Sequence, residues 1–231
     1  MFTDSFNDIE SHLQIPTVYI KVNNTLNPHL IFQHYGCQDV VIHHENASDI
    51  FVQFEKLIRL NSERFNMRRY VVSGDDAMKV FSTKELEHVS NLLVVVPKNG
   101  SYDLLTHLYG DMNGSNEVVL VDTWFPQNES FLNGYHLFPD KLYNQNGRQL
   151  KIGTFTYEPY CIVEDDNTTI HGTETSFIFE FVKKHNLTPV FTIITGDDLW
   201  GDIYDNWTGI GILGSLVRDD VDVGYGSSTT D

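Results

Sequence analysis

Between Thr17 and about Trp124, short runs of β-branched residues alternate with stretches whose apolar residues recur near a 3.6-residue period. That alternation constrains the fold more than any other feature, because strand, helix and strand in succession pack as βαβ units. It predicts a largely parallel sheet and an α/β fold class. Strands are expected at Val18–Val22, Asp39–His43, Arg69–Val72, Leu92–Val96 and Val118–Val121. The clearest helix carries Ile50, Phe51, Phe54, Leu57, Ile58 and Phe65, with Ser48 as its N-cap. Shorter helices are expected over Asp75–Phe81 and Tyr102–Leu108.

This first region, residues 1–136, resembles a Rossmann-like half-domain. No Gly-x-Gly-x-x-Gly or Walker loop follows any of its strands, so the pattern gives no warrant for a nucleotide. Pro, Asn and Gly punctuate the segment that follows, and residues 137–149 read as a linker. A second pattern occupies residues 150–231. It opens with the strand Leu150–Phe155 and a turn at Tyr157-Glu158-Pro159-Tyr160. A helix over about Thr173–His185 follows, with Phe177, Ile178, Phe181 and Val182 as its apolar face and Lys183, Lys184 and His185 at its negative end. The strand Pro189–Ile194 completes a βαβ unit. Thr208 is placed to cap a helix carrying Ile210, Ile212, Leu213 and Leu216, in spite of Gly209, Gly211 and Gly214, and Val221–Tyr225 is the last strand.

With 231 residues, 41% of them hydrophobic and 13% aromatic, the chain can bury a core. Fifteen Lys and Arg against 32 Asp and Glu give a formal charge of −17, which argues against nucleic acid and against anionic membrane surfaces. The longest apolar run, Leu92–Val96, is far short of the ~20 residues a membrane-spanning helix needs. The N-terminal residues lack the basic and apolar regions of a secretory signal.

Asn-x-Ser/Thr occurs at Asn23, Asn46, Asn99, Asn113, Asn128, Asn167, Asn186 and Asn206. Chance predicts about two or three such sites in a chain of this Asn, Ser and Thr content, so passage through a glycosylating compartment is expected, with a signal peptide upstream of Met1. Cys37 and Cys161 are too few for a disulfide scaffold. They can pair with each other, pair elsewhere, or stay as buried thiols.

The second region carries an ordered set of blocks: Glu158-Pro159-Tyr160 after the first strand, Gly172 at the helix start, Gly196-Asp197-Asp198-Leu199-Trp200-Gly201, Trp207-Thr208-Gly209 running into Gly211-Ile212-Leu213-Gly214-Ser215-Leu216, and Val221-Asp222-Val223-Gly224. Together they resemble the first half of the clamshell ligand-binding domain of ionotropic glutamate receptors, a fold shared with bacterial periplasmic amino-acid-binding proteins. Phe138-Pro139-Asp140-Lys141-Leu142 before Gly147-Arg148-Gln149-Leu150 is similar to the start of that domain in arthropod ionotropic receptors. The resemblance implies most of one lobe of a periplasmic-binding-protein-like clamshell. It further implies an extracellular portion of a plasma-membrane, ligand-gated cation channel subunit serving chemo-, thermo- or humidity sensing. A small-molecule ligand and co-receptor subunits are the implied partners, with no cofactor and no catalysis.

In that family an aromatic of the Gly-Asp loop packs over the ligand, and Trp200 stands in its place. Ser227-Ser228-Thr229 aligns with the segment whose backbone and hydroxyl bind amine and carboxylate, with Ser227 replacing a proline and Thr229 keeping the hydroxyl. Tyr160, the fourth candidate contact, reads first as the anchor of the turn beside Pro159 and only second as a ligand contact. The acids Asp197, Asp198, Asp202 and Asp205 lack EF-hand spacing, and His43-His44 has no third ligand placed by sequence, so no metal is expected. Two other readings stand beside this one: a soluble periplasmic-type solute-binding protein, and an α/β enzyme using Glu158 or Asp222 as acid or base.

Overall fold

The computed structural model describes residues 18, 20–22, 25–29, 36–59, 67–108, 117–165, 168–205 and 208–226. They form a mixed α/β protein in two compact units, one gathering residues 1–106 and 120–138, the other 107–119 and 139–231.

The first unit is built on a six-stranded sheet in the order β1 (Asp39–His43), β2 (Arg69–Ser73), β3 (Asn91–Lys98), β4 (Ser101–His107), β5 (Val118–Phe125) and β6 (Ser130–Phe131). β1, β2 and β3 are parallel, with Val40 opposite Tyr70 and Tyr70 opposite Leu92. The crossover from β1 to β2 contains α1 (Ala47–Arg59), and that from β2 to β3 contains two 3-10 helices, Ala77–Ser82 and Lys84–His88. α1 starts at Ala47, so Ser48 lies inside it rather than capping it. Its N–H and hydroxyl instead bond Asp76 at 3.0 and 2.6 Å. Burial opposes ionisation of Asp76, but these Ser48 donors hold its carboxyl below the ordinary range.

The expected helix at Tyr102–Leu108 is instead strand β4, antiparallel to β3 with Lys98 opposite Ser101. Asn99-Gly100 decides this: Gly100 takes a left-handed φ of 77° and turns the chain back on itself in two residues. The sheet is therefore mixed rather than largely parallel. Val18, Ile20, Lys21 and Val22 are not in a strand. Residues beyond Arg59, to Phe65, lie outside the described part of α1's expected span.

Among the described residues thirteen buried side chains form the core of this unit, with Phe51 of α1 edge-on to Tyr70 at 5.3 Å. Each Val, Leu, Ile or Phe among them contributes about 1.5–3 kcal/mol of transfer free energy. The core also encloses polar groups. The Tyr70 hydroxyl donates to Glu55 Oε1, and burial raises the Glu55 carboxyl above its ordinary range despite that bond and the nearby Arg68 charge. Asp122, 1% exposed, sees the opposite balance. Burial works against its charge, but N–H groups of Asn133, Thr123, Tyr135 and Gly134 at 2.8–3.0 Å hold the carboxyl below the ordinary range. One carboxylate thereby closes the chain's return after β6.

The second unit has a three-stranded parallel sheet in the order β10 (Thr188–Ile193), β7 (Gln149–Thr154), β11 (Val223–Gly224), and a two-stranded antiparallel pair, β8 (Ile162–Val163) with β9 (Ile170–His171). α2 (Thr173–Lys184) lies between β9 and β10 in sequence, and α3 (Gly211–Val217) between β10 and β11. α2 ends in a Schellman arrangement: Asn186 sits at φ 51°, and the Asn186 and Leu187 N–H groups bond the Lys183 and Val182 carbonyls. The residues read as a linker are tied to this helix end, through Gln145 N–H to the His185 carbonyl at 2.8 Å and Gly147 N–H to the Asn186 carbonyl at 2.7 Å.

The expected apolar face of α2 is rotated. Thr175 and Val182 are its buried residues and Ile178 is half-buried, whereas Phe177 and Phe181 are 72% and 48% exposed. The stripe at 175, 178 and 182 follows the helical period that faces the sheet, leaving the two phenylalanines on the outer side. α3 begins at Gly211 with Ile210 at the cap position and no side-chain cap, so Thr208 does not play that part. The last strand is confined to Val223–Gly224.

Candidate functional site

β7 lies between β10 and β11, the two strands that follow it in the parallel sheet, so the chain leaves its carboxyl edge towards opposite neighbours. In open α/β sheets such a switch point opens a crevice outside the strand ends. A cleft of about 380 Å³ is found there, with Phe155, Val163, Ile193 and Leu199 among its walls and Glu164 and Asp165 on its rim.

Each loop that reaches the cleft has a local reason for its course. Thr154, wholly buried at the end of β7, bonds the Tyr225 carbonyl at 3.1 Å and the Cys161 sulfur at 3.2 Å. The Tyr225 hydroxyl shares a 2.9 Å hydrogen bond with Thr175 of α2 and lies 3.7 Å from Cys161 Sγ. This buried network ties together the end of β7, the turn after it, the start of α2 and the end of β11. Burial, acting first, pushes the Tyr225 phenol up to about 12, so it remains a neutral hydroxyl at physiological pH.

The Gly-Asp loop is seated on α3. Leu199 and Trp200 carbonyls accept N–H groups of Ile212 and Leu213 at 3.0 Å each, satisfying two free donors of the helix start. Backbone meets backbone here. A Cβ on Gly201 would stand 1.8 Å from the Ile210 carbonyl oxygen, one on Gly209 2.4 Å from that of Asp202, and one on Gly214 2.2 Å from the Gly209 carbonyl carbon. The glycines that weaken the helix in isolation are the residues that let loop and helix close.

Trp200 is half-buried and packs edge-on against Phe155, ring centroids 5.9 Å apart. Neither Trp200 nor Tyr160 is among the residues that line the cleft. The Tyr160 ring stacks on Tyr157 at 5.9 Å and its carbonyl accepts the Glu174 N–H at 3.0 Å, which anchors the start of α2. Ser227 and Thr229 lie outside the described residues; Gly226, immediately before them, packs on Phe155.

Glu158 is exposed, and the Asp222 carboxylate accepts the Lys151 N–H at 2.9 Å, bracing β7 against the turn before β11. Asp198 accepts the Gly201 N–H, and His43 Nδ1 contacts Ser73 Oγ. Among the described residues no three His, Cys, Asp or Glu side chains converge on a metal-sized site. Both cysteines are free, Cys37 exposed and Cys161 buried in the network above.

Of the sequon asparagines, Asn46, Asn99, Asn128 and Asn186 are described, and all four are exposed and in turns. Asn99 and Asn186 also have conformational work there, in the β3–β4 hairpin and the α2 terminus. Asn23, Asn113, Asn167 and Asn206 lie outside the described residues. No helix among the described residues is long and apolar enough to cross a membrane.

Sequence reasoning missed the buried Thr154–Cys161–Tyr225–Thr175 network, the Asp122 nest and the Phe155 floor. The first two are closed by bonds between residues as far as 13 and 71 positions apart, which no local pattern signals. Phe155 directly follows β7, where the end of a central parallel strand is itself a cue. No protein-family model matches the chain, and no curated protein matches it.

Proposed function

We propose that this chain is the extracellular ligand-binding portion of a ligand-gated cation channel subunit of the arthropod ionotropic receptor kind, with a sensory role. Residues 150–231 would form most of one lobe of a periplasmic-binding-protein-like clamshell, following a Rossmann-like N-terminal half-domain. The observation that carries the reading is the order β10-β7-β11 with a cleft at the carboxyl edge of β7, bordered by the loop that holds Trp200. The ordered blocks from Glu158 to Gly224 also support it, since Gly172, Gly201, Gly209, Gly211 and Gly214 among them pack backbone against backbone. Exposed sequons support the extracellular placement.

A ligand held between this lobe and a second one would favour the closed clamshell by its difference in affinity, and closure would bias a pore shared with co-receptor subunits. The test is thermal melting of the secreted chain against a panel of small amino acids, amines, carboxylates and odorant-sized neutral molecules. At least one class should raise the melting temperature in a concentration-dependent way, and Trp200→Ala should abolish the rise while leaving the unliganded melt in place. A panel without any stabilising class would overturn the reading.

A further inference from the structure

We infer that the outer face of α2 is an interface at which a second copy of this chain docks, the two helices running antiparallel about a two-fold axis. The inference is separate from the ligand reading and holds whether or not the cleft takes a ligand.

Three observations on this face point to a copy of itself. First, Phe177 and Phe181 stand one helical turn apart, 72% and 48% exposed, on the side of α2 away from its buried Thr175 and Val182. Neighbouring rings left in water mark association surfaces, where aromatic side chains carry much of the binding. Second, the face offers both a hole and a knob. Beside Phe177 lies a groove of about 600 Å³ walled by Pro159, Ile162, Gly172 and Glu180, and the Phe181 ring stands one turn further along the helix. In an antiparallel pair, Phe177 of one copy lies level with Phe181 of the other. Each copy's Phe181 then meets the other's groove, and the contact closes on itself.

Third, the charges match in that direction alone. Glu174 lies three residues before Phe177 and Lys184 three after Phe181, so the two flank the aromatic pair on the helix surface. Neither makes an ion pair among the described residues, and Glu174 Oε2 is enclosed with no hydrogen-bond partner there. Antiparallel docking sets Glu174 against the second copy's Lys184 at both ends, whereas parallel docking sets like charge against like. The formal charge of −17 opposes the approach of two copies at long range, so docking depends on this local match.

The experiment is sedimentation equilibrium of the full 231-residue chain at concentrations from about 10 μM to 1 mM, the range a small interface calls for. About 0.15 M salt, where the Debye length is about 8 Å, screens the repulsion between copies. The mass should rise with concentration from that of one chain to that of two and no further. The double variant Phe177→Ser, Phe181→Ser should stay monomeric over that range with an unchanged melting temperature, because neither ring belongs to the core. Lys184→Glu alone should raise the dissociation constant about fivefold. A monomer at every concentration overturns the inference, as does a dimer that the double variant leaves intact or an assembly that grows past two copies. Binding of the monomer to phosphatidylcholine vesicles, lost in the double variant, would give the face to a membrane and overturn it as well.

Discussion

The two units are both α/β but are held together differently. The first has a continuous apolar core in which α1 and the 3-10 helices cover β1, β2 and β3, with thirteen buried members. Among the described residues the core cluster of the second has four buried members, Ile152, Cys161, Ile170 and Tyr225, with Phe155, Val182, Ile212 and Val221 buried outside it, and its sheet is joined to its loops by hydroxyls, a thiol and close glycine backbones. Apolar area stabilises without direction, so the first unit tolerates irregular crossovers. Hydrogen bonds and backbone contacts demand geometry, so the second positions its loops closely while gaining less from burial.

The largest expected effect breaks the first kind of core. Phe51→Ala removes a ring with no exposed surface, costing about 3–5 kcal/mol. Hydrogen exchange read by mass spectrometry should show protection lost across β2 and β3, with the peptides of β7 and β10 little changed. Equal loss in both sets would mean that the contrast between the units is not one of independent cores.

A smaller effect addresses the second unit. Gly224→Ala places a Cβ 2.2 Å from Cγ2 of Ile212, which is wholly buried in α3. That overpacking should cost about 1–3 kcal/mol and separate β11 from α3, measured as a lower urea midpoint with early exchange at Tyr225. A neutral substitution would show that this unit packs as loosely as an oil-like core.

The smallest effect is in pH. Because Glu55 has a raised folded pKa, the native state holds its proton more tightly than the unfolded chain. Its contribution is therefore full below the ordinary carboxylate value and is lost as pH rises through the raised one. Asp76 and Asp122, with lowered values, contribute above the ordinary range and lose that contribution as pH falls through their folded values. Glu55→Gln should thus flatten the decline of first-unit stability on the alkaline side of the carboxylate range, leaving the acid limb unchanged in urea titrations from pH 3 to 8. A decline that persists in the variant would assign it to another group.

Much of the architecture was legible before any coordinates. Val40, Tyr70 and Leu92 fall in strands as their runs predict, and the helices at 47–59 and 173–184 follow from apolar period and charge at their ends. At Tyr102–Leu108 the apolar spacing suits a helix, but Asn99-Gly100 before it makes a two-residue turn whose left-handed glycine leaves no room for a crossover helix. The outward Phe177 and Phe181 show a related limit. Period locates a helix, but the face it buries depends on where the sheet lies.

The site divides along the same line. Local chain order alone determined the α/β class, the loop that bears Trp200 and the turn that bears Tyr160, because propensity, turn chemistry and spacing act over a few residues. Only the tertiary structure decided that Phe155 floors a cleft, that Glu164 and Asp165 are its charged rim, and that Thr154, Cys161, Thr175 and Tyr225 share one buried network. Those groups are up to 71 positions apart in sequence, and their meeting is set by strand order and the burial of hydroxyls that must find partners away from water.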